Sequence, residues 1–407
     1  MSQDSSSHPD SASHPGQSHV SRMGFPRDSV TQPSSPPVYL TAAFDVPGID
    51  VLYGMSAGTH HGHIYTRDSN PNHTALADSI AALEGAEAGA VFASGMGALG
   101  SILLTLLSQG DHLIVANALY GRSLQLVERL RLQLGLTVTV ADVSNPATFG
   151  AAVTSRTRLA LVETVSNPLL EVADIQALAT SLGSIPLVVD ATFSTPELIR
   201  PLSLGASIVF HSASKYLNGH GDLMLGVAAG SANMMKRLTE TASLFGQNAN
   251  PFESWLCQRG LRTLPLRMKQ TCDSTRKIAD FLASHPAVRR VHYPLLTSHR
   301  SFQLASRLYP HGTGGIVSFE LNGGGEASVN QFIQHSTSIP FSPTLADART
   351  TISWPAGTSH KFMSAERRAE MGITTELIRL SVGLEPHELL IAELTQVFDR
   401  ISPKKQM

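Results

Sequence analysis

The chain is short of cysteine, of net charge and of unbroken apolar stretches. Its two cysteines, Cys257 and Cys272, are too few for a secreted disulfide framework, so a reducing, cytoplasmic setting is expected. A formal net charge of −2 supplies no global field toward nucleic acid or an anionic membrane. The longest apolar run, 90–107, is interrupted by Ser94-Gly95-Met96-Gly97 and by Gly100. That pattern suits a strand, a loop and a helix better than a membrane span. Residues 1–36 nearly lack large apolar side chains and are rich in Ser, Pro and His. Such a segment cannot bury enough surface to offset its ordering entropy and reads as a disordered tail. It has no apolar core for a signal peptide, and Asp4, Asp10 and Asp28 beside only two arginines argue against a mitochondrial presequence.

What the chain does have is length and alternation. With 407 residues, 42% of them hydrophobic, it can bury a large core and divides naturally into two domains. From about residue 75, apolar strands (89–92, 112–116, 137–141, 159–162, 187–189, 207–210, 225–229) alternate with helical spacing at 76–84, 98–107, 124–134 and 175–182. That order predicts an α/β domain over 75–260 with a mostly parallel sheet covered on both faces. Strands at 315–321, 350–353 and 378–382, with helices at 328–335 and 388–401, predict a smaller α+β domain over 261–407. Residues 37–74 are polar, dotted with glycine and weakly periodic, and read as an arm that packs on a neighbouring subunit.

In such sheets ligands bind beyond the carboxyl ends of the strands. Three candidate groups fall there: Ser94, Gly95 and Met96; Asp190; and the stretch "HSASKYLNGHGD" that carries Lys215. "GMGALG" at 95–100 satisfies a dinucleotide fingerprint, but the next strand ends in Asn117 rather than the acid that would bind a ribose. Small residues at a helix N-terminus still offer amides and a dipole to a phosphate. A lysine held by apolar walls beside such a cradle has a depressed pKa and becomes a nucleophile. On a loop by itself Lys215 would be unremarked. With a phosphate cup (Ser94 to Met96, Ser212, Ser214), a carboxylate for a ring nitrogen (Asp190) and an aromatic in "ALYGRS" (Tyr120), it points to pyridoxal 5′-phosphate (PLP).

From about residue 65 onward the sequence resembles the Cys/Met-metabolism (trans-sulfuration) family of PLP-dependent enzymes, the γ-synthases, γ- and β-lyases and sulfhydrylases of sulfur amino acids. The resemblance is carried by "YTRDSNPN", "ASGMGA", "LYG", "ETVSNP", "VVDATF…TPELIRPLSLGASIVFHSASKYLNGHGDLMLG", "RGLRTLPLRM" and "LIRLSVGLE", in the family's order. It implies the fold of type I PLP-dependent transferases. It implies that Lys215 forms the imine with the cofactor and later shuttles protons, that Asp190 pairs with the ring nitrogen, and that Tyr120 stacks on the ring. Ser212 and Ser214 would hold phosphate beside the Gly95 and Met96 amides, Asn167 would contact the ring hydroxyl oxygen, and Arg379 would grip the substrate α-carboxylate. Tyr65 and Arg67 would reach a neighbour's phosphate site, so the resemblance implies a homodimer or homotetramer with shared active sites.

Three departures bear on the substrate. Arg122 stands where relatives carry a small residue or, in methionine γ-lyases, a cysteine, which counts against a dedicated methionine γ-lyase. "FSPTLADARTTISWP" replaces the family's Ser-Leu-Gly-Gly loop, with Thr344 near the position of the carboxylate-contacting serine and Pro343 where cystathionine-cleaving relatives often have an acid. "GTHHGH" adds His60, His61 and His63, which lack a fourth obvious metal ligand, so no metal is expected. The expected reaction is replacement or elimination at the γ-carbon of a homoserine-derived amino acid. A β-lyase giving pyruvate, a transaminase and a non-catalytic PLP-binding regulator are the alternatives.

Overall fold

The computed structural model describes residue 33 and residues 35–401. Most of the expected tail lies outside them. Seven strands form the larger sheet: β1 (Ala88–Phe92), β2 (His112–Ala116), β3 (Thr137–Ala141), β4 (Thr157–Glu163), β5 (Leu187–Asp190), β6 (Ile208–Ser212) and β7 (Gly226–Gly230). Their spatial order is β1-β7-β6-β5-β4-β2-β3. Strands β3, β2, β4, β5 and β6 run parallel, and β7 pairs antiparallel with both β6 and β1. The expected α/β class with a mostly parallel sheet is thus what the chain forms. Val188, Val189, Ile208 and Val209 are wholly buried, as strands covered on both faces require. Each such side chain contributes about 1.5–3 kcal/mol through burial.

The C-terminal part builds a separate antiparallel sheet ordered β10-β11-β9-β8, from β8 (Val288–His292), β9 (Ile316–Leu321), β10 (Thr351–Ser353) and β11 (Leu377–Ser381). Strand β8 escapes the sequence reading because Arg289 and Arg290 interrupt it and lie exposed at the sheet edge. The helix Leu264–Ser284, also unassigned from sequence, packs against β8, β9 and the terminal helix His387–Ile401. No helix among the described residues is long and apolar enough to cross a membrane.

Two helix starts place the site. Asn70 caps the helix Pro71–Glu84 by accepting from the Asn72 amide at 2.9 Å, with Pro71 in the first turn and Gly85 closing the helix at φ 68°. Ser94 caps the helix Gly95–Leu106 by accepting from the Gly97 amide at 3.0 Å. The arm is tied to its own chain at one end, where Trp255 donates to the Pro36 carbonyl at 2.7 Å and Asn72 to the Pro37 carbonyl at 2.9 Å. Its helix Ile49–Ser56 buries none of its residues and leaves Ile49 and Tyr53 about 70% exposed.

Candidate active site

A cavity of about 740 Å³ opens at the carboxyl ends of β4, β5 and β6. It is lined by Ser94, Gly95, Met96, Tyr120, Arg122, Asn167, Asp190, Ser212, Ser214, Lys215, Thr344 and Arg379, the twelve residues that the sequence singles out for the interior of one site. Tyr65 and Arg67 are not among its walls. They lie exposed on the arm, the Arg67 guanidinium 5.1 Å from the centre of the Tyr65 ring.

Lys215 follows β6 by three residues, and its Nζ donates to the Thr344 hydroxyl at 3.2 Å. Burial, and then the positive charge of Arg379, lower its pKa to about 8. The neutral amine, which is the nucleophile, is therefore accessible two units below the ordinary lysine value of about 10.4. The rate at which cofactor-free protein recombines with PLP is expected to rise with pH with a midpoint near 8. A midpoint near 10.4 in a stopped-flow absorbance series would contradict the buried environment.

Arg379, on β11, is almost fully buried and, among the described residues, has no carboxylate partner. One Nη donates to Asn167 Oδ1 at 2.9 Å and the other to the Thr344 carbonyl at 3.3 Å, while Nε has no partner. Burial lowers its pKa to about 10, so it remains a cation. A buried cation with an unused N–H is costly unless an anion completes it. Asn167, expected to face a ring oxygen, thus orients Arg379 as well.

Two carboxylates lie in register at adjacent strand ends, Glu163 on β4 and Asp190 on β5. Asp190 Oδ1 accepts from the Thr192 amide at 2.9 Å and the Thr192 hydroxyl at 2.5 Å. Glu163 Oε1 accepts from the Tyr120 amide at 2.5 Å. Burial raises both carboxyls; for Glu163, repulsion by Asp190 adds to burial, and the Tyr120 and Asn167 amides only partly compensate. Glu163 and Thr192 escape the sequence reading. The signal for Glu163 was its place in "ETVSNP", at a strand end like that of Asp190.

The phosphate end is tight. A Cβ on Gly95 would come within 2.8 Å of the Ser212 Cβ, and one on Gly226 within 2.1 Å of the Ser94 carbonyl oxygen. The Ser214 hydroxyl is engaged with the backbone of Leu225, accepting from its amide at 2.9 Å, so Ser212 is the freer of the two serines. The amine, the strand-end carboxyl of Asp190, the amide-lined helix start and the unfilled Arg379 suit PLP with an amino-acid carboxylate.

Among the described residues no group of three or more His, Cys, Asp or Glu is arranged to hold a metal. His63 instead bonds the Ser69 hydroxyl at 2.9 Å.

The model of the Cys/Met metabolism PLP-dependent enzymes matches residues 17–399. The chain is 40% identical over 366 residues to an L-methionine γ-lyase of Pseudomonas deceptionensis, covering 89% of this chain and 91% of the relative. It is 39% identical over 343 residues to an O-succinylhomoserine sulfhydrylase of Pseudomonas aeruginosa, covering 84% of each. A cystathionine γ-synthase of Xanthomonas oryzae pv. oryzae, solved in complex with aminoacrylate and cysteine, superposes with a TM-score of 0.88 at 34% identity over 95% of this chain and 98% of that one. The chain belongs to the Cys/Met metabolism family of PLP-dependent enzymes.

Proposed function

We propose that this enzyme acts at the γ-carbon of a homoserine-derived amino acid, by replacement of an O-acyl group or by elimination of a γ-substituent. The observation that carries the reading is the pairing of Lys215 with Arg379 through one residue. Thr344 accepts from the lysine with its hydroxyl and from the arginine with its carbonyl. A substrate whose carboxylate completes the Arg379 guanidinium is thereby held with its Cα near a neutral amine. Such charge-assisted, planar recognition is what guanidinium supplies and ammonium does not. Bound PLP supplies an electron sink for the carbon that loses its proton. Lys215 removes the α-proton and then a β-proton, after which the γ-substituent leaves. Tyr120, placed at the cavity wall by the hydrogen bond its backbone N–H donates to Glu163, hands a proton to the leaving group. Asp190 holds the ring nitrogen, Ser212 and the Gly95 and Met96 amides hold phosphate, and Ser214 holds Ser212's loop.

The relatives' names include a lyase, a sulfhydrylase and a synthase, so the balance between replacement and elimination lies in how well the distal cavity excludes water. Tyr65 and Arg67, exposed and outside their own cavity, would complete the phosphate site of a second copy. The working unit would then be a homodimer or homotetramer in the cytoplasm.

Incubating the PLP-loaded protein with O-acetyl-L-homoserine, with and without a small thiol, tests the reading by mass spectrometry of products. A thioether or 2-oxobutanoate is expected. Pyruvate from a β-substituted substrate, with the homoserine ester untouched, would move the chemistry to Cβ.

A further inference from the structure

The mouth of the cavity carries positive charge that the reaction above does not use. Arg122 and Lys361 both line it, and both point their cations at one ring: the Arg122 guanidinium lies 4.2 Å and the Lys361 ammonium 5.0 Å from the Phe362 centre. Among the described residues neither makes a salt bridge. Arg122 donates to the neutral Gln125 at 3.0 Å. Among the described residues the carboxylates lining the cavity are Glu163 and Asp190, which belong to the sheet at its floor. Arg122 also sits in the first turn of the helix Gly121–Leu134, which has no acidic residue in that turn and no side-chain cap on its amides. A helix N-terminus favours anions and disfavours cations. Helix end, Arg122 and Lys361 thus concentrate one sign of charge, and the Phe362 face offsets only part of their repulsion.

The loop bearing Lys361 is held against that helix. A Cβ on Gly121 would come within 2.5 Å of the Ser359 carbonyl oxygen, and His360 beside it is fully buried. The two cations therefore share a fixed seat rather than meeting by chance on mobile tails. Arg379 is buried and takes the α-carboxylate, whereas Arg122 and Lys361 are exposed at the rim.

We propose that Arg122 and Lys361 select substrates bearing a second negative charge beyond the γ-carbon, as in a homoserine ester whose acyl group ends in a carboxylate. The inference rests on the γ-carbon reading and specifies its substrate class. The second anion arrives either on the leaving acyl group or on an incoming amino-acid thiol.

The test compares O-succinyl- with O-acetyl-L-homoserine at a fixed neutral thiol, and cysteine with that thiol on the acetyl ester, using the holoenzyme. The wild-type preference for the charged member is expected to fall about three- to tenfold in kcat/KM in R122Q/K361Q, the range for two solvent-exposed charges. A fall confined to the esters assigns the rim to the leaving group, and one confined to the thiols assigns it to the nucleophile. In the wild type alone, that preference should shrink as salt rises from 20 mM to 500 mM, because rim charges are screened (~8 Å Debye length at 0.15 M). Turnover of both esters with a preference that neither the variant nor salt changes overturns the rim and leaves the γ-carbon reading intact. No turnover of any homoserine ester overturns both.

Discussion

Lys215→Ala is expected to lower turnover by at least about 10²–10⁴, the range that a positioned proton-transfer group supplies. The variant should also release PLP on gel filtration, because the wild-type amine is the only lysine in the cavity besides the rim residue Lys361. Stability should move the other way. The amine's pKa is lowered in the fold to about 8, so the unfolded chain binds a proton more tightly than the native state does. That cost is fully present below pH 8, fades as pH rises, and is gone above the unfolded value of about 10.4. At pH 7 the cofactor-free variant should melt no lower than the cofactor-free wild type. Turnover within a few-fold of wild type would remove Lys215 as the base, whereas abolished turnover with an unchanged biological effect would revive the non-catalytic reading. Unchanged turnover together with a lower melting temperature would mean the lysine is structural.

The second large effect concerns Arg379. Removing one partner of a buried charged pair costs roughly 3–5 kcal/mol, so Arg379→Ala should reduce kcat/KM by about 10²–10⁴. Arg379→Lys should recover little of this, because an ammonium cannot hold two carboxylate oxygens and the Asn167 oxygen in one plane. Among the described residues no carboxylate pairs with the buried guanidinium, and its Nε is unused. The alanine variant loses two hydrogen bonds but also a desolvated charge, so its melting temperature should shift by only a few degrees. A collapse of the fold would show that Arg379 is a structural residue. Wild-type affinity for an amino-acid ligand, measured by the change in cofactor absorbance, would show that the carboxylate is gripped elsewhere.

Much of this is legible in the sequence. The parallel strands announce themselves because strands buried on both faces are written in unbroken Val, Ile, Leu and Ala, and their ends mark the crevice. Lys215, Asp190 and the Ser94–Met96 turn follow from that placement. Arg379 did not follow from pattern. Inside "LIRLSV" it alternates like any strand residue, and only the family resemblance distinguished it. Glu163 was hidden by the same economy: a carboxylate at a strand end reads as a solvent-facing terminus until its neighbour on the next strand is known. The Asn70-Pro71 start of a helix was there to be read, since Asn caps and Pro opens a helix. The rim formed by Arg122, Lys361 and Phe362 could not be found from one sequence, because 239 residues separate its two cations along the chain. Strand β8 fails for a third reason, its edge position, where arginines face water and erase the periodicity.

Arg267 in "RGLRTLPLRM" joins distant parts of the chain. Its buried guanidinium donates to the carbonyls of Tyr216 at 2.6 Å, Leu217 at 3.2 Å and Gly260 at 3.0 Å, and its Nε to the Thr263 hydroxyl at 3.1 Å. Four contacts spend nearly every donor of one side chain on backbone next to Lys215 and on the turn that opens the long helix. For anyone recombining this enzyme with a relative, residues 216–267 therefore form a single inheritable block. A chimera joined inside that interval pairs one parent's arginine with the other's carbonyls, and the residue adjoining Lys215 is the first to feel the mismatch.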